Sequence, residues 1–118
     1  MPASRSAQQP YRGFTRKRSR KPISYIVSES ELLDAAALAA YTPQAQAAVK
    51  AAGGVPGVVA SGKVIALVGE APKRFGVSEW ESVEKAQAYY TSEARKALDA
   101  QRAKAFKVTR QFIVERPN

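Results

Sequence analysis

The stretch RFGVSEWESVEKAQAYYTSEARKAL, residues 74–98, decides the fold because it predicts a strand followed directly by a long helix. Phe75 and Val77 share one face of a strand over residues 74–80, and Trp80 lies on the other face. Ser82 is placed to cap the helix, with a joint expected at Ser92. The predicted buried face of this helix recurs at helical spacing: Val83, Ala86, Tyr90, Ala94 and Leu98.

The residues before this stretch predict a strand, a helix and a hairpin. ISYIVSES (23–30) alternates apolar and polar residues, as a strand does. Asp34 then caps an Ala-rich helix that ends at Gly53-Gly54, with Thr42-Pro43 expected to break or kink it. VPGVVAS (55–61) and VIALVG (64–69) are two short apolar runs joined at Gly62-Lys63, which favours a β-hairpin. At the other end of the chain, KVTRQFIVER (107–116) predicts a last strand.

This order, β-α-β, a hairpin and β-α-β, predicts an α+β, ferredoxin-like sandwich (split βαβ) with a β-hairpin extension over residues 23–118. Right-handed crossovers place both helices on one face of a four-stranded sheet. The strands carry apolar residues on both faces, for example Tyr25 and Val27 against Ile26. A solvated face would be mostly polar, so we expect the bare face to be covered by a second copy in a homodimer.

Composition excludes several classes of site. The chain has 118 residues, no cysteine and no histidine. Thiolate nucleophiles, Cys- or His-based zinc sites, proximal-His haem and His general bases are therefore excluded, and no metal or cofactor is expected. No apolar run approaches the roughly 18 residues that span a bilayer, so no membrane span is expected. The expected location is the cytoplasm.

Basic residues are concentrated in an N-terminal arm, residues 1–22. This arm holds seven of the 19 Lys and Arg and none of the ten Asp and Glu, so it contributes +7 of the formal charge of +9. It has no apolar periodicity, which predicts a flexible segment. Three interpretations stay open: a solubilising tail, an electrostatic arm for nucleic acid, anionic lipid or an acidic protein partner, or an organelle-targeting segment. The candidate anion-binding residues are Arg12, Arg16, Lys17, Arg18, Arg20 and Lys21.

The second half of the chain resembles the Domain of Unknown Function 1330 family, which belongs to the dimeric α+β barrel (ferredoxin-like) superfamily. The matching features are a strand ending in an acid and an aromatic residue, a capped helix with a tyrosine pair, and a terminal strand. Asp34, Tyr41 and Gly53-Gly54 match the first half of the family pattern. The residues that stand at the other family positions are Arg74, Glu79, Trp80, Ser82, Tyr89, Tyr90, Ser92, Arg102, Phe112, Val114 and Glu115.

The chain departs from the family pattern at positions that bear on a pocket. Val55 and Ala60 stand in the strand where the family often has arginines. Arg95 replaces a family tyrosine, and Glu81 replaces a proline. The resemblance implies the fold and the dimer, covers about residues 23–116, and implies a pocket of different charge in this chain.

Six residues are the candidates for site chemistry. Glu79 shares a strand face with Phe75 and Val77, so a buried Glu79 is a candidate catalytic acid or base, and the alternative is a structural ion pair. The candidate ligand-binding residues are Arg74, Trp80, Tyr89, Tyr41 and Arg102. Core packing is the alternative for the aromatic residues, and a solvated helix face is the alternative for Arg102.

Three functions from different classes follow from these observations. The first is a dimer that binds a small molecule in a helix–sheet or dimer cleft, extending to a cofactor-independent enzyme, since the superfamily includes monooxygenases and isomerases. The second is binding of nucleic acid or an acidic partner through the arm. The third is a structural assembly subunit. The first is preferred because the charge of the domain itself is nearly balanced, whereas nucleic-acid readers carry a basic stripe on folded surface.

Overall fold

The computed structural model describes residues 23–117, and this range forms a four-stranded antiparallel sheet with helices on one face. The strands are β1 (Ile23–Leu32), β2 (Val55–Ala60), β3 (Arg74–Trp80) and β4 (Phe106–Arg116). The helices are α1 (Ala35–Ala51), α2 (Val83–Tyr90), α3 (Glu93–Lys96) and α4 (Asp99–Ala105). The strand order β2-β3-β1-β4 confirms the predicted ferredoxin-like sandwich. The basic arm, with Arg12, Arg16, Lys17, Arg18, Arg20 and Lys21, lies outside the described residues.

Side-chain hydrogen bonds set the helix ends where the sequence predicts them. Asp34 accepts hydrogen bonds from the backbone N–H groups of Ala36 and Ala37 at 2.9 and 3.1 Å, which starts α1. Ser82 caps α2, and Ser92 caps α3 at the predicted joint. α1 ends where Gly53 adopts a positive φ of 94°. That conformation favours glycine and lets the N–H groups of Gly53 and Gly54 bond the last carbonyls of the helix.

Of the break or kink predicted at Thr42-Pro43, the break is wrong, since α1 continues through Pro43. Proline removes one backbone N–H, which would have bonded the carbonyl of Ala39 four residues earlier. Ala39 and Pro43 are both exposed, so water can bond that carbonyl. The Thr42 hydroxyl donates to the Leu38 carbonyl at 2.8 Å instead of capping a second helix.

The predicted β-hairpin extension is also wrong. β2 pairs with β3, and residues 61–73 between them contain no strand. Ser61 exchanges two hydrogen bonds of 2.9 Å with the backbone of Phe75, through its own N–H and through its hydroxyl. These bonds join the end of β2 to the start of β3, so the run at 64–69 has no neighbouring strand and forms a loop. Its Leu67 and Val68 are 93% and 95% exposed.

The core lies between the sheet and the helices around a single tryptophan. Trp80 is 1% exposed and stacks on the ring of Tyr89, with centroids 4.9 Å apart. Its indole N–H donates to the Ser78 hydroxyl at 2.9 Å. Gly54 approaches the same indole so closely that a Cβ there would lie 2.7 Å from two ring carbons. Ile26, Val49 and Ala86 complete the core cluster.

The two faces of the sheet differ in what covers them. On β1, Ile26 points toward the helices and packs in the core cluster, which defines the helix-covered face. The alternate residues Tyr25 and Val27 point to the other, open face, opposite Glu79 and Val77 of β3. On β4 the open face carries Phe112 and Val114, which are 40% and 42% exposed. The sheet therefore carries apolar side chains on both faces, as the sequence predicts.

Candidate functional site

A cleft runs between α1 and the helix-covered face of the sheet. It consists of two adjoining cavities of about 150 and 270 Å³. Both cavities are lined by the same six residues, which form the middle of the cleft: Ile26, Ser28, Tyr41, Ala45, Ser78 and Phe106. The described residues thus enclose one continuous groove along the helix, at the lower end of the size range of ligand pockets.

Small and polar residues on the sheet create this groove. Ser28 of β1 lies opposite Gly76 of β3, and Ser78 lies opposite Ile26. A sheet face that packs against a helix normally carries large apolar side chains. Here the serine and glycine positions are too small to reach α1, so the space between helix and sheet stays open.

One end of the cleft, which we call the arginine–tyrosine end, is formed by Tyr41, Tyr89, Tyr90, Arg95, Asp99 and Arg102. Asp99 Oδ1 accepts a hydrogen bond from Arg95 Nη1 at 3.1 Å. The same oxygen lies 3.6 Å from Arg102 Nη2. Arg95 Nε donates to the Tyr90 carbonyl, and its guanidinium stands 4.2 Å from the centre of the Tyr90 ring. The arginine side chains are only 19% and 29% exposed, so these contacts are partly shielded from water.

The other end of the cleft is organised by Arg74. Its Nη1 donates to the Ser30 hydroxyl at 3.2 Å, and its guanidinium lies 5.5 Å from the centre of the Phe106 ring. Phe106 in turn meets Tyr41 edge to face, with centroids 5.6 Å apart. Aromatic rings therefore connect the two ends of the cleft.

Burial raises the pKa of Tyr41 and Tyr89, two of the tyrosines that line the cleft. Desolvation is the largest cause for Tyr41, and it outweighs the opposing effect of the positive charges on Arg102 and Arg95. Desolvation also raises the pKa of Tyr89, with a smaller contribution from Tyr41. Both phenols therefore stay protonated at neutral pH and offer O–H donors to the cleft.

The raised tyrosine pKa values make stability depend on pH in the alkaline range. Above the ordinary pKa of 10.0, the unfolded chain releases the Tyr41 proton while the folded chain still holds it, so stability falls as pH rises. This contribution is fully present below pH 10.0 and is lost as pH increases through the raised folded pKa. We expect Tyr41→Phe to reduce the loss of stability between about pH 9 and pH 11.5. Urea denaturation of the wild type and of Tyr41→Phe across this range measures the free energy of unfolding at each pH. Equal dependence on pH in the two proteins would contradict the prediction.

The structure places the sequence-predicted residues in three different environments. Tyr41, Tyr89, Arg74 and Arg102 all line the cleft. Trp80 lies in the core and forms the wall behind Tyr89. Glu79 lies on the open face beside Tyr25 and Val55, so the sheet separates it from the other candidates.

The predicted helix face around Tyr90 is wrong. Tyr89 is 9% exposed and belongs to the core cluster, whereas Tyr90 is 40% exposed. The expectation continued one buried face across the joint at Ser92, but the chain forms three short helices with breaks after Tyr90 and Lys96. Each break resets the phase of the helix, so a single 3.6-residue period does not assign its buried face.

Sequence reasoning missed Asp99, Ser28 and Ser78 as cleft residues, and it noted Arg95 only as a departure from the family pattern. Arg95, Asp99 and Arg102 are spaced four and three residues apart, which is the spacing that brings charged side chains together on a helix. That spacing was a usable signal. The serines gave a weaker one, because serine on a strand is ordinarily interpreted as a solvent-facing residue.

Two kinds of feature are absent from residues 23–117. Within residues 23–117, no group of three or more acidic side chains is close enough together to hold a metal ion. None of the helices in this range has the length and hydropathy to cross a bilayer.

Comparisons with known proteins agree with this architecture. A family model described as Domain of unknown function (DUF1330) matches residues 23–117. Two solved structures are similar: the RPA0582 protein of unknown function from Rhodopseudomonas palustris, with a TM-score of 0.59, and the methylated RPA0582 protein, with a TM-score of 0.61. Both are 18% identical to this chain. The first match covers 91% of this chain and 92% of the other, and the second covers 91% of each. No curated protein matches the chain.

Proposed function

The chain belongs to the DUF1330 family, a domain of unknown function, and we propose that it binds a small organic molecule in the cleft between α1 and the sheet. The observation that carries this proposal is the floor of the cleft. Ser28, Gly76 and Ser78 stand where a packed two-layer domain would place large apolar residues. A concave groove with a few converging polar groups is the usual form of a small-molecule site.

The proposal is for binding rather than for proton transfer in the cleft. Glu79, the candidate acid or base, lies on the opposite side of the sheet. The phenols of Tyr41 and Tyr89 have raised pKa values, so neither is a base at neutral pH. The groups that face the cleft are therefore suited to hydrogen bonding and charge pairing with a ligand.

We propose that the open face is covered by a second copy of the chain, as the sequence pattern predicts. Glu79 lies near one end of this face, and Arg110 lies near the other, paired with Glu29 at 2.8 Å. A twofold axis across the strands would bring the Glu79 end of each copy over the Arg110 end of the other. Because Arg110 is already paired with Glu29, the support for a second copy is the apolar character of the face, with Val27, Val77, Phe112 and Val114, rather than its charge.

The size of the open face indicates that the loop at 64–69 joins this interface. Four strands at roughly 4.8 Å spacing and about seven residues at roughly 3.4 Å rise give roughly 460 Å². A stable interface buries about 800 Å² on each partner. The loop continues from β2 at the edge of the face, and its Ile65, Leu67 and Val68 are strongly exposed. These side chains would supply apolar area that the sheet face lacks.

A fragment screen by NMR tests the cleft proposal. Neutral and charged single-ring fragments are added to the labelled protein, and we expect amide shifts to cluster at residues that line the cleft. Ala45→Leu places a larger side chain into both cavities and is expected to abolish these shifts. Ala47→Leu, on the exposed side of the same helix, is the matched control and should leave them unchanged. Shifts that avoid the cleft, or that persist in Ala45→Leu, would contradict the proposal.

A further inference from the structure

We infer that the arginine–tyrosine end of the cleft binds the carboxylate of a small organic acid whose apolar part lies toward the middle of the cleft. This inference rests on the proposed function and names its ligand class. It depends on three features that the proposal did not use: the charge balance of the cleft, the way in which the arginines are held, and the prevalence of hydrogen-bond donors.

The charge balance of the cleft favours an anion. Among the described residues that line the two cavities, Arg74, Arg95 and Arg102 are basic, and Asp99 is the one acidic residue. Asp99 directs the same oxygen, Oδ1, at both Arg95 and Arg102. One carboxylate thus serves two guanidinium groups, and the arginine–tyrosine end keeps an excess positive charge. An anionic ligand would balance it.

Arg95 is held in place before a ligand arrives, whereas Arg102 is held more loosely. Arg95 is fixed by the Tyr90 ring, the Tyr90 carbonyl and Asp99, which together use only part of its five N–H donors. Arg102 has a longer contact of 3.6 Å to Asp99, which leaves its guanidinium free to turn to a ligand. Because both side chains are mostly shielded from water, charge pairing here is stronger than at an exposed surface. Preorganised donors also reduce the entropy cost of binding.

The hydrogen-bonding groups at this end are mostly donors. The guanidinium groups cannot accept hydrogen bonds, and the hydroxyls of Tyr41 and Tyr89 carry protons at neutral pH, since the ordinary phenol pKa is 10.0 and burial raises it further. An ionised carboxylate only accepts hydrogen bonds, so it complements this set. Next to it the cavity is lined by apolar side chains, including Ala45, Val49 and Phe106. The matching ligand is a monocarboxylic acid with a compact apolar body.

Cyclohexanecarboxylate and its neutral amide, cyclohexanecarboxamide, are the probes that test the inference on the full chain. They share shape and differ in charge. The protein has one tryptophan, Trp80, which stacks on the cleft residue Tyr89, so its fluorescence reports occupancy. Calorimetry gives the affinities. We expect the acid to bind at least about tenfold more tightly than the amide, since hydrogen bonds to charged groups exceed neutral ones by roughly that factor.

Two variants locate the effect. Arg102→Gln should weaken binding of the acid by about tenfold while leaving that of the amide nearly unchanged. Lys104→Gln removes an exposed positive charge from the same helix, outside the cleft, and should change neither affinity. This control separates a local contact with Arg102 from a general effect of net charge.

Each other outcome overturns the inference in a distinguishable way. Equal affinity for acid and amide rejects the carboxylate assignment but keeps the cleft as a small-molecule site. Tighter binding of inorganic phosphate than of the acid rejects the apolar body. Absence of binding by both probes at millimolar concentration rejects this ligand class, and the Ala45→Leu fragment experiment then decides whether the cleft binds small molecules at all.

Discussion

Replacement of Trp80 by alanine is expected to lower the free energy of unfolding by about 3–5 kcal/mol. The indole is 1% exposed and makes three contacts: it stacks on Tyr89 of α2, donates to Ser78 of its own strand β3 and packs against Gly54 in the turn after α1. Its removal leaves a cavity where helices and sheet meet. Urea denaturation followed by circular dichroism at constant protein concentration measures the effect, and Trp80→Phe provides a milder variant if the alanine protein does not fold.

Gly54 provides an independent check on the same packing. Gly54→Ala puts a Cβ 2.7 Å from the Trp80 ring and is expected to cost about 1–3 kcal/mol, because a rigid, buried indole has little room to move. Gly62→Ala is the matched control, since a Cβ there meets no atom within 4 Å. In the Trp80→Ala background the cost of Gly54→Ala should largely vanish. Additive costs in the double mutant would show that the two residues do not interact.

Val77→Asp is expected to convert a dimer into folded monomers. Val77 lies at the centre of the open face, opposite Val27 on one side and Val59 on the other. In the proposed dimer, each copy would bury a new unpaired carboxylate, at about 3–5 kcal/mol each. The dissociation constant should therefore rise by more than about 1,000-fold. Light scattering coupled to size-exclusion chromatography measures the mass, and circular dichroism verifies the fold.

Leu33→Asp is the control for this experiment. Leu33 is 59% exposed and follows β1, away from the centre of the open face, so a carboxylate there stays in water. The Leu33→Asp protein should keep the mass of the wild type. A monomeric wild-type protein at micromolar concentration, or a dimeric Val77→Asp protein, would contradict the proposal that a second copy covers this face.

Local signals in the sequence were sufficient for most element boundaries. Asp34, Ser82 and Ser92 cap helices as predicted, since a side-chain oxygen that follows an extended residue satisfies backbone donors within the same few residues. The Gly53-Gly54 stop depends on the conformational freedom of Gly53. Such interactions span three or four positions, so one sequence contains all the information needed to recognise them.

The errors concern interactions between distant segments. The apolar run at 64–69 has strand character, yet β2 pairs with β3 because Ser61 bonds Phe75, fourteen residues later. The choice between Tyr89 and Tyr90 as the buried residue depended on where α2 ended and on the position of Trp80. The spacing of apolar residues along a helix contains neither piece of information.

The sequence by itself determined the order of the four sheet strands and of the two helical segments between them, the caps, the apolar character of both sheet faces and the basic composition of residues 1–22. Tertiary structure alone decided which residues form the cleft. Tyr41, Arg74, Ser28 and Arg102 are far apart in the chain and come to line the same cleft when α1 and α4 pack against each other beside the sheet. It also separated Glu79 from them, because successive residues of a strand point to opposite faces and only the folded sheet shows which face the helices cover.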